Sequence, residues 1–330
     1  MAAQIEGIAA PGVPMTERLR AHVAIMRLDH SIKNVFVLPG IFLPLLVTRV
    51  EPRAFAMRLL LGIVSITLIA CSNYVINEVL DAPFDRLHPT KKNRPAALGL
   101  VHVPTAYMQW LAMMATGLLI SAHISTGFFL ANAALWVMGC IYNIPPVRAK
   151  DLPYVDVLVE SINNPLRMLL GWYIVTSEIV PPASLLMAYW MIGAYFMSIK
   201  RFSEYRQIGA QVAGAYRRSF VHYTEQSLLV SVLMYAATSM LFLGAFSARY
   251  RLELILSFPA IGVLMAVYFQ MAFQPDSPVQ NPEKIYREKK LMVPLAISIA
   301  LMAVLLTVRI PLVTAWFSPT AEMMDHQGRH

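Results

Sequence analysis

The sequence predicts an all-α polytopic membrane protein, a bundle of nine transmembrane helices forming one domain over residues 1–330. Three observations carry this. Hydrophobic residues make up 57% of the chain and charged residues only 14%, with a mean hydropathy of +0.56, whereas soluble domains carry roughly 25% charged residues. Apolar stretches of about 17–25 residues recur, long enough for helices to cross lipid, and the weaker alternation of a transmembrane barrel is absent. Lysine and arginine are distributed unevenly between alternate loops, as in chains oriented by their positive residues.

The spans are placed at 33–48, 59–80, 104–122, 124–142, 155–176, 183–201, 226–246, 253–273 and 291–317, with flexible ends at 1–20 and 318–330. With a cytoplasmic N-terminus, 19 Lys and Arg fall in cytoplasmic segments and 7 on the other side, leaving Arg167 inside the fifth span. That asymmetry favours the cytoplasmic N-terminus. The cytoplasmic loops are also the longer and more polar ones, so the chemistry is expected on that face. Arg18, Arg20, Arg27 and Lys33 precede the first span without a short apolar core and cleavage site, so no cleaved signal peptide is expected. Cys71 and Cys140 lie in apolar segments and read as packing residues rather than a disulfide or zinc pair. The net charge of +8 would suggest nucleic acid in a soluble protein. In a membrane chain it reflects loop bias and anionic headgroups, so membrane lipids and no nucleic acid are the expected partners. Assembly into a homo-oligomer stays open.

Directly after the second span runs "NEVLDAPFDRLHPTKKNRPAALG", residues 77–99. Asn77, Asp81 and Asp85 are spaced by four, which on a helix forms one ladder with neighbours about 5–6 Å apart. Two carboxylates and an amide oxygen are hard ligands suited to Mg²⁺, which keeps waters and shares itself with substrate phosphates. Arg86, His88, Lys91, Lys92 and Arg94 follow, cations able to hold phosphate oxygens. Any one of these residues is explained by a charged helix end anchored in the interface. Together, acid ladder then basic loop describes a metal–diphosphate site.

A second cluster, "IKRFSEYRQ", closes the sixth span. One carboxylate among three cations is a poor metal ladder and a good anion cradle, with Lys200 and Arg201 on a phosphate and Glu204 orienting them or a sugar hydroxyl. The competing explanation is ordinary positive-inside residues. Lys33 and Asn34 open the first span on the same face. Tyr142 closes the fourth, where an aromatic belt accounts for it equally well. Arg167 is costly within a span and should face a cavity or a partner. Glu160, two turns earlier, is the expected partner together with Asn163.

The run N-x-x-x-D-x-x-x-D-R-x-H-P-x-K-x-x-R-P resembles the first signature of the UbiA-type intramembrane prenyltransferase superfamily. Its H-P-x-K-x-x-R-P continuation is most similar to the decaprenyl-phosphate phosphoribosyltransferase branch. "RLDHSIKNVFVLPG" (27–40) is similar to that branch's opening, with Leu28 and Ser31 replacing its proline and tryptophan. "KDLPYVDVLVESINNPLRMLLGW" (150–172) and "KRFSEYR" (200–206) follow in the expected order. Glu160, Asn163 and Asn164 depart from it, standing where the branch is usually small and apolar. The resemblance implies nine spans in a bacterial cytoplasmic (inner) membrane and transfer of 5-phosphoribosyl from phosphoribosyl diphosphate to a polyprenyl phosphate, with Mg²⁺ as cofactor. Asp81, Asp85, Lys91 and Arg94 would be catalytic. Asn77, Asp81 and Asp85 would bind the metal. Lys33, Asn34, Asn77, Arg86, Tyr142, Arg167, Lys200, Arg201 and Glu204 would bind substrate. The alternative is a prenyltransferase acting on an aromatic acceptor. Prenyl-diphosphate users of the superfamily carry a second aspartate ladder after the sixth span, which is missing here. A transporter is the non-enzymatic alternative, and its ionisable residues would lie nearer the bilayer midplane.

Overall fold

The computed structural model describes residues 14–280 and 282–317, and no strand occurs among the described residues. In chain order the helices are α1 (Met15–Ala24), α2 (Leu38–Leu45), α3 (Pro52–Asp85), α4 (Val103–Ala122), α5 (Thr126–Asn143), α6 (Val155–Ser161) and α7 (Asn163–Val175). They continue as α8 (Ala183–Tyr216), α9 (Glu225–Tyr250), α10 (Phe258–Met271), α11 (Lys289–Thr307) and α12 (Pro311–Phe317).

Helix lies within every expected span, but the ninth is interrupted at 308–310 between α11 and α12, and other differences have identifiable local causes. The first is a 3-10 stretch, Leu28–Val37, running into the short α2. Pro39 and Pro44 remove backbone donors and crowd the preceding turn, which prevents one long α-helix there. The fifth is two helices that meet at Ile162. Pro165 clashes with a continuous helix at the Ser161 carbonyl, so the break falls there. The second and sixth overshoot their expected ends: α3 continues to Asp85 and α8 to Tyr216. Asp81, Asp85 and Glu204 in these overshoots are buried against other elements, so they do not end the helices. Within α8 the backbone departs from helix at Gly209, φ 76° and ψ 155°, a left-handed value that glycine adopts without a Cβ penalty.

Among the described residues five segments are long and apolar enough to cross a bilayer: Pro52–Asp85, Val103–Ala122, Glu225–Tyr250, Leu252–Met271 and Lys289–Thr307. The protein is thus an integral membrane protein. Of the expected flexible ends, residues 1–13 and 318–330 lie outside the described residues, whereas 15–20 belong to α1.

Two apolar cores organise the bundle. One joins Val37 and Ile41 to Ile66 and Ile69 of α3, Phe128 and Leu135 of α5, and Leu170 and Ile174 of α7. The other joins Tyr195, Ile199 and Phe202 of α8 to Leu228 and Val232 of α9 and Met265 and Tyr268 of α10. Leu60, Leu119, Leu233 and Leu241 are exposed, as expected of chains facing acyl tails. Lipid is as apolar as leucine, so helix association here relies on close approach and polar contacts. Asn132 donates to Ser65 and Ser121, both at 2.9 Å, and Ser65 donates to the Gly117 carbonyl, tying α3, α4 and α5 together. On the other side of the bundle α2 lies directly on α7, because Gly40 and Gly171 have no Cβ.

A Cβ on Gly40 would sit on the Met168 carbonyl oxygen. Gly40→Ala should therefore destabilise the protein by about 1–3 kcal/mol, the usual cost of overpacking, measured as a lower Tm in detergent. Gly262→Ala, where nothing lies within 4 Å, should melt like the parent.

Candidate active site

The C-terminal turns of α3 carry the ladder, and each of its carboxylates meets cations from elsewhere. Asp81 accepts from Lys150 Nζ at 2.5 Å and from Arg148 at 2.8 Å on one oxygen, and from Asn77 at 3.3 Å on the other. Asn143 accepts from both Lys150 (2.8 Å) and Asn77 (2.5 Å), closing a ring of four side chains. Asp85 is fully buried and accepts from Arg94 at 2.6 Å on Oδ2, while its Oδ1 has no hydrogen-bond partner. A turn earlier, Glu78 takes both Nε (3.0 Å) and an NH2 (2.7 Å) of Arg27.

The loop between α5 and α6 delivers Arg148 and Lys150 at a cost. Arg148 has φ 33° and ψ 59°, a left-handed backbone that costs a non-glycine residue about 1–3 kcal/mol. Its guanidinium is held by Asp81, by Asp151 at 3.1 Å and by the Phe84 ring face at 4.8 Å. Burial pushes the Lys150 ammonium down to about 8, against the opposing pull of Asp81. These side chains, with Asp81, Tyr216 and Arg217, line a small polar pocket at the end of α3.

The basic loop after α3 folds back onto α8. Lys91 Nζ donates to Glu204 and to the Tyr216 hydroxyl, each at 2.6 Å, and lies 4.1 Å from the centre of the Tyr216 ring. Burial works against this ammonium, but Glu204 and Tyr216 outweigh it and hold its pKa above the ordinary lysine value. His88 Nδ1 accepts from the backbone N–H of Thr90 (3.2 Å) and Lys91 (3.3 Å), which assigns its proton to Nε2, facing Glu204 at 3.5 Å. Arg86 donates to the Ala97 carbonyl at 3.0 Å and so braces the loop.

On α8, Arg201 is enclosed by acids. Its Nε donates to Asp156 (3.0 Å), one NH2 group to Glu160 (2.6 Å) and Tyr142 (3.0 Å), and NH1 lies 3.7 Å from Glu204. The expectation that Arg201 is a phosphate ligand therefore meets a guanidinium whose three nitrogens already face protein oxygens. Tyr142 donates to Glu160 at 2.7 Å and accepts from Arg217 at 2.6 Å. Asp156 also accepts from Tyr223 at 2.5 Å.

The structure separates Glu160 from its expected partner Arg167. Glu160 is taken instead by Arg201 of α8 and Tyr142 of α5. Arg167, 7% exposed, makes no ion pair or hydrogen bond among the described residues. Lys33 faces the Tyr74 ring at 5.7 Å, and Asn34 donates to Thr67 at 3.1 Å. Lys200 lies near Glu160 and Glu204, which pair with Arg201 and Lys91, and itself makes no ion pair among the described residues.

Arg148, Lys150, Asp156, Tyr216 and Arg217 were not singled out in the sequence. "RAKD" and "RR" read there as topological charges, and only the packing of loops onto α3 and α8 reveals their partners. Among the described residues no group of three or more His, Cys, Asp and Glu converges on a metal position. The donor set nevertheless suits Mg²⁺ shared with a phosphate: two carboxylates, one with an orphaned buried oxygen, beside an amide.

Comparison with known proteins follows the same outline. The model of the UbiA prenyltransferase family matches residues 36–286. The decaprenyl-phosphate phosphoribosyltransferase of Mycolicibacterium smegmatis is 31% identical over 178 residues, 52% of this chain and 52% of that protein. Nodulation protein NoeC of Azorhizobium caulinodans is 28% identical over 183 residues, 55% of this chain and 56% of that protein. The chain thus spans about half the length of these relatives. A UbiA homolog from Archaeoglobus fulgidus, solved with GPP and Mg²⁺, superposes with a TM-score of 0.65 at 21% identity, covering 88% of this chain and 100% of that one.

Reversing the charge of Arg201 tests the acid cage. Arg201→Glu would add a carboxylate among Asp156, Glu160 and Glu204 and should destabilise the fold by about 3–5 kcal/mol or more, read as loss of a monodisperse, cooperatively melting protein. Arg206→Glu, which breaks a half-exposed pair with Glu225, should shift stability by no more than about 1 kcal/mol.

Proposed function

This chain belongs to the UbiA prenyltransferase family, and within it we propose a membrane glycosyltransferase that moves 5-phosphoribosyl from phosphoribosyl diphosphate to a polyprenyl phosphate. The observation that carries the reading is the commitment of the α8 cluster. Its one carboxylate pointing at the ladder, Glu204, is taken by Lys91, so α8 offers no second acid pair of the kind a prenyl-diphosphate user needs. The similarity to decaprenyl-phosphate phosphoribosyltransferases supports the same donor.

In this reading the diphosphate sits at the pocket between α3 and the loop bearing Arg148 and Lys150, on the cytoplasmic face of a bacterial inner membrane. Asp81 and Asp85, beside Asn77, would hold Mg²⁺, which would supply counter-charge to the diphosphate leaving group. Arg148 and Lys150 exchange their hold on Asp81 for phosphate oxygens. Lys91 and Arg94 neutralise charge as the C1–O bond breaks and its electron pair departs with diphosphate, which is electrostatic stabilisation of the transition state. An oxygen of the lipid phosphate forms the new bond to C1. That oxygen is already anionic at neutral pH, so no proton has to be removed and no protein nucleophile is required. Direct displacement inverts the anomeric carbon.

The test is a transfer assay on purified protein with phosphoribosyl diphosphate, Mg²⁺ and polyprenyl phosphates of several lengths, the lipid product being read by mass spectrometry. A phosphoribosylated lipid of inverted configuration is expected. Transfer from geranyl diphosphate to an aromatic acceptor, with none from phosphoribosyl diphosphate, would establish the prenyltransferase alternative instead. Asp81→Asn and Asp85→Asn should each lower turnover by about 10²–10³-fold, assayed well below their melting temperatures because both positions are buried and ion-paired. Chelation by EDTA should abolish turnover in the parent.

A further inference from the structure

Three cations on different elements, Lys33 of the 28–37 stretch, Arg167 of α7 and Lys200 of α8, make no ion pair among the described residues. The Arg167 guanidinium is buried on α7 near the hydroxyls of Tyr74 and Tyr189, and its Nε has no hydrogen-bond partner among the described residues. Tyr74 lies on α3 seven residues before Asp81, about 10 Å along the helix. Tyr189 lies on α8 and donates to the Phe36 carbonyl at 3.1 Å, which ties it to the segment carrying Lys33. Toward the mouth come Lys33, over the Tyr74 ring, and Lys200, which are close enough to repel one another. The acids nearest Lys200 are Glu160 and Glu204. Both are taken, by Arg201 and Lys91 respectively.

An uncompensated buried guanidinium costs several kcal/mol, and in a membrane bundle such residues mark the path of a polar ligand. Lys33 and Arg167 share Tyr74 as a neighbour, Lys200 lies near Lys33, and none of the three makes an ion pair among the described residues. A ligand bringing negative charge would complete them. An isoprenyl chain alone would bury hydrocarbon against ammonium and guanidinium groups. The segment carrying Lys33 also presents Ile32, Val35 and Leu38 outward, exposed apolar side chains at the same level as the cations. A charged head and an apolar tail both find a place there.

We propose that Arg167, flanked by Tyr74 and Tyr189 and approached past Lys33 and Lys200, seats the phosphate monoester headgroup of a membrane lipid. The proposal deepens the functional reading above by locating the acceptor, and it rests on that reading only for the use to which the bound lipid is put. Arg167 is then a binding residue whose charge is unsatisfied until the lipid arrives.

The experiment uses full-length protein in phosphatidylcholine nanodiscs, with neither donor nor divalent cation, and measures binding of radiolabelled farnesyl phosphate alongside farnesol. The parent should bind farnesyl phosphate, and Arg167→Met should weaken that binding about 10–100-fold, the range for losing charged hydrogen bonds. Farnesol should bind equally to both. Without ligand, Arg167→Met should melt at or above the parent temperature, because an unpaired buried charge has been removed. Should that variant not fold, Arg167→Gln carries the same expectation for binding. Unchanged affinity for farnesyl phosphate would overturn the proposal, as would a lower Tm combined with equal weakening toward farnesol, the mark of a structural residue. Competition by inorganic phosphate as effective as by farnesyl phosphate would also overturn it, by making the site one for soluble anions. Arg167-dependent binding of 4-hydroxybenzoate, with farnesyl phosphate indifferent to Arg167, would replace the lipid phosphate by an aromatic carboxylate. Because no donor is present, failure here leaves the phosphoribosyl reading standing. A failed transfer assay likewise leaves this binding result intact.

Discussion

Charge neutrality in a dry place governs the architecture. Carboxylates at the end of α3 and on α6 and α8 are shielded from bulk water, and an ion left alone there costs more than most packing defects. Each of these acids is met by a cation carried on a different part of the chain: Glu78 by Arg27, Asp81 by Arg148 and Lys150, Asp85 by Arg94, Glu204 by Lys91, and Asp156 by Arg201. The connecting loops are ordered because they carry those cations. The strained backbone of Arg148 and the left-handed Gly209 are local concessions to that requirement.

The same pairs also bridge, at the mouth, two apolar cores that Met168 of α7 joins elsewhere by packing with Leu185 of α8 and Phe246 of α9. One apolar core gathers α2, α3, α5 and α7, and the other gathers α8, α9 and α10. At the mouth, Lys91 reaches from the loop after α3 to Glu204, while Arg201 reaches back to α6. Ion pairs can be exchanged for contacts with a charged ligand with little change of packing, whereas leucines in a core cannot. A site built on such a seam can be rearranged by a diphosphate while each core keeps its shape.

What the sequence disclosed follows from how local each signal is. Hydropathy located helix at all nine expected spans, and spacing by four put Asn77, Asp81 and Asp85 on one helix. Helix ends were less legible, because Asp85 and Glu204 look like solvent-facing charges until their partners are known. Arg148, Lys150 and Arg217 were passed over for a related reason: an isolated charge in a short loop has no pattern, and its meaning, like that of Asp156 in the first turn of α6, comes from a residue far away in the chain. The Glu160–Arg167 pairing misled because Arg201 and Tyr142, from other helices, take Glu160.

The contact between Arg27 and Glu78 bears on how the chain can be shortened or extended. Arg27 follows α1 in a left-handed conformation and grips an acid only 2% exposed on α3. Ile25, beside it, has no exposed surface and packs with Cys71 and Val75 of the same helix. Ile25 and Arg27 are therefore a wedge that holds the largely exposed opening helix against α3, although that helix's polar sequence reads like a disposable leader. Trimming through Arg27 in search of a tidier crystallisation target would leave Glu78 charged and alone beside the ladder. An affinity tag joined ahead of Met15 leaves that wedge in place.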